Sequence, residues 1–256
     1  MLKYVLPLLI VSTPAAVQLD PRETALAARL AAEPVPLAVY VIGDGKGYGA
    51  SAGMADVDAK RRFTSDTPVR VASNTKTFVA ATVLRLWEQG RIDLDAPIAG
   101  LVTPALDARL KADKYDTVRI TVRHLLSHSG GLYDHGNDKR FEEALYNDPK
   151  HRWTPDALIG LMTDWGDPLS APGAEFKYAD ADYILLGDII QRITGKTLAA
   201  AMREQLKLDK LGLKSLYWEV FEQPRKDAPP RARQYIGERE VTGVDASFDL
   251  YGGGAW

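Results

Sequence analysis

Apolar residues run unbroken from Leu37 to Ile42, a pattern that predicts a buried strand. Turn chemistry follows over Gly43 to Gly49, and small residues from Ala50 to Ala55 predict a return strand, making the pair a hairpin. Upstream, Asp20 and Pro21 supply an N-cap and a first-turn proline for a helix that carries Leu26 and Leu30 and stops at Pro34. From Thr77 to Gln89 the chain is apolar nearly all round (Phe78, Val79, Val83, Leu84, Leu86, Trp87), which predicts a central buried helix with Gly90 as its cap. Residues 92–168 read as mixed helix and loop. A second strong helix is predicted over Asp182 to Thr194, with Leu185, Leu186, Ile189, Ile190 and Ile193 on one face and Gly195 at its end. A further helix is expected over Leu198 to Leu211, and residues 222–240, polar and proline-rich, read as loop. Strands first and helices after predict an α+β fold.

Composition changes this picture little. The chain has 256 residues, 46% hydrophobic and 26% charged, enough for a sizeable core without covalent staples. No repeat or linker divides residues 17–256, which read as one domain. A net charge of −2 with mixed signs argues against nucleic acid or an anionic membrane as partner. The absence of cysteine excludes disulfides, thiolate metal sites and a cysteine nucleophile. Lys3, the apolar run Tyr4 to Val11 and the small residues Ser12 to Ala16 read as a secretory signal peptide over residues 1–16, with a buried N-terminal helix as the alternative. A periplasmic or secreted location is therefore expected.

Candidate chemistry concentrates at Ser73-Asn-Thr-Lys76, between the strand-like run Val69 to Ala72 and the apolar helix. Residues three apart share a helical face, so the Lys76 amine reaches the Ser73 hydroxyl. Burial and the positive end of a helix both push a lysine toward the neutral amine that activates a serine. Alone the motif is also compatible with a surface helix. Tyr178 and Asp180 fall just before the Asp182 helix, where a tyrosine can relay protons if a cation lowers its pKa; the plain alternative is packing and capping. His124 and His128 are four apart, as in a zinc pair, but no glutamate follows His124, and a structural histidine at the end of a short helix is the simpler reading. Gly49-Ala-Ser51-Ala-Gly53 matches a nucleophile elbow in letters, without the following helix that an elbow requires.

Together, Val71 to Phe78, Gly90 to Ile98, Ile120 to Leu132, Pro172 to Asp180 and Tyr183 to Gly187 resemble the penicillin-recognising serine hydrolases. The branch is that of class C β-lactamases, D-alanyl-D-alanine carboxypeptidases and related esterases. The resemblance implies a helical region plus an antiparallel sheet, and a covalent acyl-enzyme formed on D-alanyl peptides, β-lactams or small esters. By it, Ser73 is the acylated nucleophile, Lys76 its proton partner, and Tyr178 shares in proton transfer. Asp180 is a substrate-binding residue standing where many members carry asparagine. It implies no metal or cofactor, a monomer, and small-molecule or peptide substrates, peptidoglycan among them. The family also carries a later strand with a basic residue or histidine, then x-Gly. This chain stops at Tyr251 to Trp256, so a C-terminal truncation with missing sheet strands is expected. The competing expectations are an inactive fragment, a non-catalytic ligand-binding relative, or an elbow-type esterase using Ser51.

Overall fold

The structure is a computed structural model that describes residues 21–32, 37–43, 46–64, 66–236 and 239–249. The leader-like residues 1–16 and the final run 251–256 lie outside the described residues, as does the Asp20 cap. The chain divides into two compact units, residues 1–67 and 68–256.

In the first unit, helix α1 (Pro21–Leu30) lies against a hairpin. Its strands β1 (Leu37–Gly43) and β2 (Lys46–Ala52) pair antiparallel, Leu37 opposite Ala52 and Gly43 opposite Lys46. The return strand begins earlier than the sequence suggests, because Gly47 and Gly49 join the ladder instead of turning. Gly53, at φ +87°, ends it. A second antiparallel pair, β3 (Met54–Asp56) with β4 (Arg61–Arg62), follows with an irregularity between Met54 and Asp56. Ser51 sits inside β2 opposite Ala38, with no helix after it, so the elbow is not formed.

The second unit is helical. A 3₁₀ turn (Ala72–Asn74) leads into α2 (Thr75–Glu88), which starts two residues before the apolar pattern does. Val79, Val83 and Leu86 are buried, but Leu84 and Trp87 stand 42% and 48% exposed, so the helix is not enclosed all round. Gly90 follows in the left-handed region, its N–H and that of Arg91 closing on Trp87 and Leu86 carbonyls. Then come α3 (Pro104–Ala112), α4 (Val122–Leu126), α5 (Lys139–Asn147) and α6 (Pro155–Trp165). Thr121, Asp138 and Thr154 cap the last three through their side chains.

Helix α7 (Asp180–Thr194) is the centre of the core. Every residue from Ala181 to Ile190 is buried, and α2, α4, α6 and α8 (Leu198–Leu206) all pack on it. The last helix stops at Leu206 rather than Leu211, because Lys207 turns left-handed and leaves Leu211 exposed. The predicted loop 222–240 carries one short antiparallel pair, β5 (Tyr235–Ile236) with β6 (Arg239–Glu240).

Two segments that flank the site are laced together by backbone hydrogen bonds. Leu169, Gly173 and Lys177 donate to the carbonyls of Gly131, Ser129 and His128, at 2.8, 2.8 and 2.7 Å. Gly131 is in the left-handed region (φ +73°), and a Cβ there would lie 2.2 Å from the Ser170 carbonyl oxygen. Gly131→Ala is expected to cost on the order of 2–4 kcal/mol in urea unfolding, through backbone strain and separation of the two strands of this lacing.

Candidate active site

The nucleophile position is built by the turn into α2. Val71 is the residue before the 3₁₀ turn, and Ala72 adopts φ +48°, a left-handed conformation costing an alanine about 1–2 kcal/mol. The bend leaves Ser73 exposed while Lys76, one turn on, is only 6% exposed. Lys76 Nζ donates to Ser73 Oγ at 3.1 Å and to Asp180 Oδ1 at 2.7 Å. Tyr178 Oη lies 2.8 Å from Ser73 Oγ and 3.2 Å from Asp180 Oδ1. The ammonium also sits 5.1 Å over the Tyr178 ring and 5.8 Å over that of Tyr183. Ser73, Lys76, Tyr178 and Asp180 therefore form one cluster, joined from segments about a hundred residues apart in sequence. It opens on a cavity of about 210 Å³ lined by Ser73, Gly136, Phe141, Glu142, Asp180 and Asp249, among others. Gly136 is obligatory here, since a Cβ would meet Asp180 Oδ2 at 2.3 Å.

The charge states differ from those expected of the sequence. Burial alone lowers the Lys76 pKa, but the contacting Asp180 carboxylate outweighs it and the net shift is upward, so Lys76 is an ammonium. Tyr178 is also shifted upward, by burial, against the opposing pull of Lys76 and Ser73, so it is a neutral phenol. Neither group is the ready-made base that a helix-mouth lysine or a cation-activated tyrosine suggests. Asp180 does line the cavity, with Oδ1 held by Lys76 and Tyr178 and its N–H donating to Asp134 Oδ1 at 3.1 Å.

Beneath the tyrosine lies His128. It is not on α4 with His124: the helix ends at Leu126, and His128 turns back at φ +51°. His124 instead accepts the Thr121 N–H through Nδ1, and among the described residues no cluster fit for a metal occurs. The His128 ring packs on Tyr178 and Tyr183, with centroids 4.4 and 5.0 Å apart. Its Nδ1 lies 2.8 Å from Oδ2 of the fully buried Asp182 and also receives the Ala179 N–H at 3.3 Å. Burial drives Asp182 well up, and burial together with the Lys76 ammonium drives His128 down. Both shifts favour the uncharged forms, a carboxylic acid beside a neutral imidazole.

The frame in which this cluster sits is found in known proteins. The family model described as Beta-lactamase matches residues 27–254. The chain belongs to the beta-lactamase family. Esterase EstB of Burkholderia gladioli is 34% identical over 191 residues, 72% of this chain and 48% of that protein. Protein flp of Staphylococcus aureus (strain N315) is 33% identical over 150 residues, 58% of this chain and 27% of that protein. The chain thus spans about half or less of the length of these relatives. Among solved structures, a D-stereospecific amidohydrolase from Streptomyces sp. superposes with a TM-score of 0.75 at 25% identity, over 91% of this chain and 67% of that one. A D-amino acid amidase from Ochrobactrum anthropi SV3, complexed with L-phenylalanine amide, gives 0.71 at 25%, over 91% and 63%. The fold is the α+β fold of this family of serine hydrolases, which includes esterases and amidases. No helix among the described residues is long and apolar enough to cross a membrane.

Within this beta-lactamase-family frame, sequence reasoning passed over three groups around the cluster. Asp134 holds the Asp180 N–H. His135 is 1% exposed with Nδ1 unpartnered, and burial brings its pKa down to about 4 against the pull of Asp180. Asp249, in the 3₁₀ turn Ala246–Asp249, is pushed up to about 7 by burial and by Asp180. The neutral Asp182–His128 pair has a direct check. Asp182→Asn, whose amide can donate the same hydrogen, should stay within about 1 kcal/mol of wild type in chemical denaturation, whereas Asp182→Ala should cost roughly 2–4 kcal/mol.

The signs for pH follow from linkage. The unfolded chain binds a proton at His135 between the ordinary value of 6.5 and about 4, where the folded chain refuses it. This contribution to stability is present above pH 6.5 and is lost as pH falls toward 4. Asp249 works oppositely: its buried charge costs stability above about pH 7, a cost relieved as pH falls toward 3.8. In thermal melts over this acidic range, His135→Leu should flatten the acid-side decline in Tm, and Asp249→Asn should steepen it.

Proposed function

We propose that this chain acts as a serine hydrolase through a covalent acyl-enzyme on Ser73. The carrying observation is Ser73 Oγ within hydrogen-bond reach of both Lys76 Nζ and Tyr178 Oη, at the mouth of an open cavity. In this reading Ser73 attacks the carbonyl of a bound substrate, the leaving group departs, and water then releases the acyl group. Lys76, as an ammonium, fixes the nucleophile's orientation and offsets the developing negative charge. Tyr178 carries the proton away from Ser73 and returns it to the leaving group.

Small amides, peptides and esters are the proposed substrates, D-amino acid derivatives, D-alanyl peptides and β-lactams among them. Support comes from the site's exposed serine and from the esterase and amidases to which the chain is similar. A cavity of about 210 Å³ suits a small acyl group rather than a folded protein surface. Export to the periplasm or exterior and action as a monomer, with peptidoglycan peptides within reach, belong to the same proposal. They rest on the apolar run after Lys3 and on the mixed surface charge.

Labelling with a fluorescent penicillin or a fluorophosphonate tests the reading. Wild type should be labelled and Ser73→Ala should not; equal labelling of both removes Ser73 from the mechanism. Lys76→Ala should keep a cooperative melt and lower the acylation rate by about 10²–10⁴-fold.

A further inference from the structure

The hydrogen bonds of the cluster have one direction in which every hydrogen finds an acceptor within the cluster. An ammonium has three hydrogens and no lone pair, so Lys76 can only donate. It donates to Asp180 Oδ1 at 2.7 Å and to Ser73 Oγ at 3.1 Å. With Lys76 donating to its oxygen, Ser73 turns its own hydrogen to the other group in reach, Tyr178 Oη at 2.8 Å. The phenol then turns its hydrogen to Asp180 Oδ1 at 3.2 Å. The path out of Ser73 thus ends on Asp180 Oδ1, the same oxygen that accepts from Lys76. Of the four groups, Asp180 alone combines lone pairs with a negative charge.

We propose that Asp180 is the terminal proton acceptor for acylation of Ser73, receiving the hydrogen by way of the Tyr178 hydroxyl. This rests on the serine hydrolase reading above and deepens it. In the step, the Ser73 Oγ–carbon bond forms as the carbonyl π pair moves onto its oxygen. The Ser73 hydrogen passes to Tyr178 Oη while the Tyr178 hydrogen passes to Asp180 Oδ1, leaving a neutral carboxylic acid and an unchanged Lys76 ammonium. On collapse, the bond from carbon to the leaving group breaks. The departing atom takes a proton back along the same path, and the carboxylate is restored. Hydrolysis of the acyl-enzyme repeats the sequence with water in place of the serine hydroxyl.

The groups facing Asp180 leave this role open to it. Lys76 faces it from α2, Asp134 and His135 from the turn between α4 and α5, and His128 from the loop after α4. Tyr178 and Asp182 flank it in sequence, and Asp249 faces it from the C-terminal 3₁₀ turn. Burial favours the acid form of Asp182 and shifts both histidines down, toward the neutral imidazole. Lys76 is the cation in contact with this carboxylate, at 2.7 Å, and it stays in place when the proton arrives.

The test is the pH profile of single-turnover acylation by a chromogenic ester, on the intact chain and on Asp180→Asn. The expected result is a wild-type rate that falls on acidification, because an acceptor that already holds a proton cannot take another. In Asp180→Asn the rate at pH 7 should drop about 10²–10⁴-fold, and the rising limb should move to higher pH, where Lys76 without its anion sheds a proton. An Asp180→Asn enzyme that acylates at the wild-type rate or faster at pH 7 overturns the proposal, because the carboxylate would then only restrain the lysine. Tyr178→Phe cuts the relay while leaving the Lys76–Asp180 pair, and decides the matter if Asp180→Asn does not fold. Loss of acylation there supports the relay, and retention overturns it. Absence of Ser73-dependent acylation in wild type is a separate outcome, which overturns the hydrolase reading and this inference with it.

Discussion

The contact between the Lys76 ammonium and the Asp180 carboxylate is the constraint on which the rest of the site depends. An ammonium almost fully removed from water is costly without a partner. Its partner comes from the first residue of α7, 104 positions away. Bringing the two together fixes the mouth of α2 against the mouth of α7, and so sets Ser73 beside Tyr178. Buried pairs of this kind contribute little net stability, because desolvation offsets the attraction, yet removing one partner is costly. What the pair supplies is geometry: two helix starts aligned so that four polar atoms share one small volume.

Around that pair the structure is layered. Backbone bonds lace the segment after α4 to the one carrying Tyr178, and Gly131 and Gly136 let the chain approach where a side chain would collide. Asp134 holds the backbone of Asp180, and the His128 ring forms the floor under Tyr178. Helix α7 carries Asp180 at its half-buried first position and Asp182 just inside, and is buried from Ala181 to Ile190. The same helix therefore serves as the centre of the core and as the mount of the site, which ties the placement of the reactive groups to the stability of the fold.

Much of this was legible in the chain. The Ser73–Lys76 spacing, the apolar face of α7 and the glycine after α2 are local signals, and local periodicity reports them faithfully. The position of Tyr178 at the entrance to α7 was legible for the same reason, although the helix starts at Asp180, two residues before the apolar pattern. Charge states were legible only in part, because they depend on partners distant in sequence. Lys76 reads as a lowered-pKa amine from its own helix and as an ammonium if the aspartate at 180 lies beside it, and the fold brings Asp180 within 2.7 Å. His128 reads from sequence as a structural histidine at the end of a short helix; what the sequence does not show is that the backbone turns left-handed after Leu126 and carries the ring under Tyr178. The end of α8 was missed similarly: Lys207 breaks a helix that composition would have carried on to Leu211. Asp249 has no local signal at all, since nothing near it in sequence announces that it faces Asp180.

The neutrality of the Asp182–His128 pair carries a consequence for the response to electrolyte. Dissolved ions screen separated charges over about 8 Å at physiological strength, but they act weakly on two buried groups whose shifts favour their uncharged forms. The platform beneath Tyr178 is thus the part of the site that salt affects least. The exposed carboxylate at the rim of the cavity, Glu142, is the part of the site that a changing ionic medium can reach.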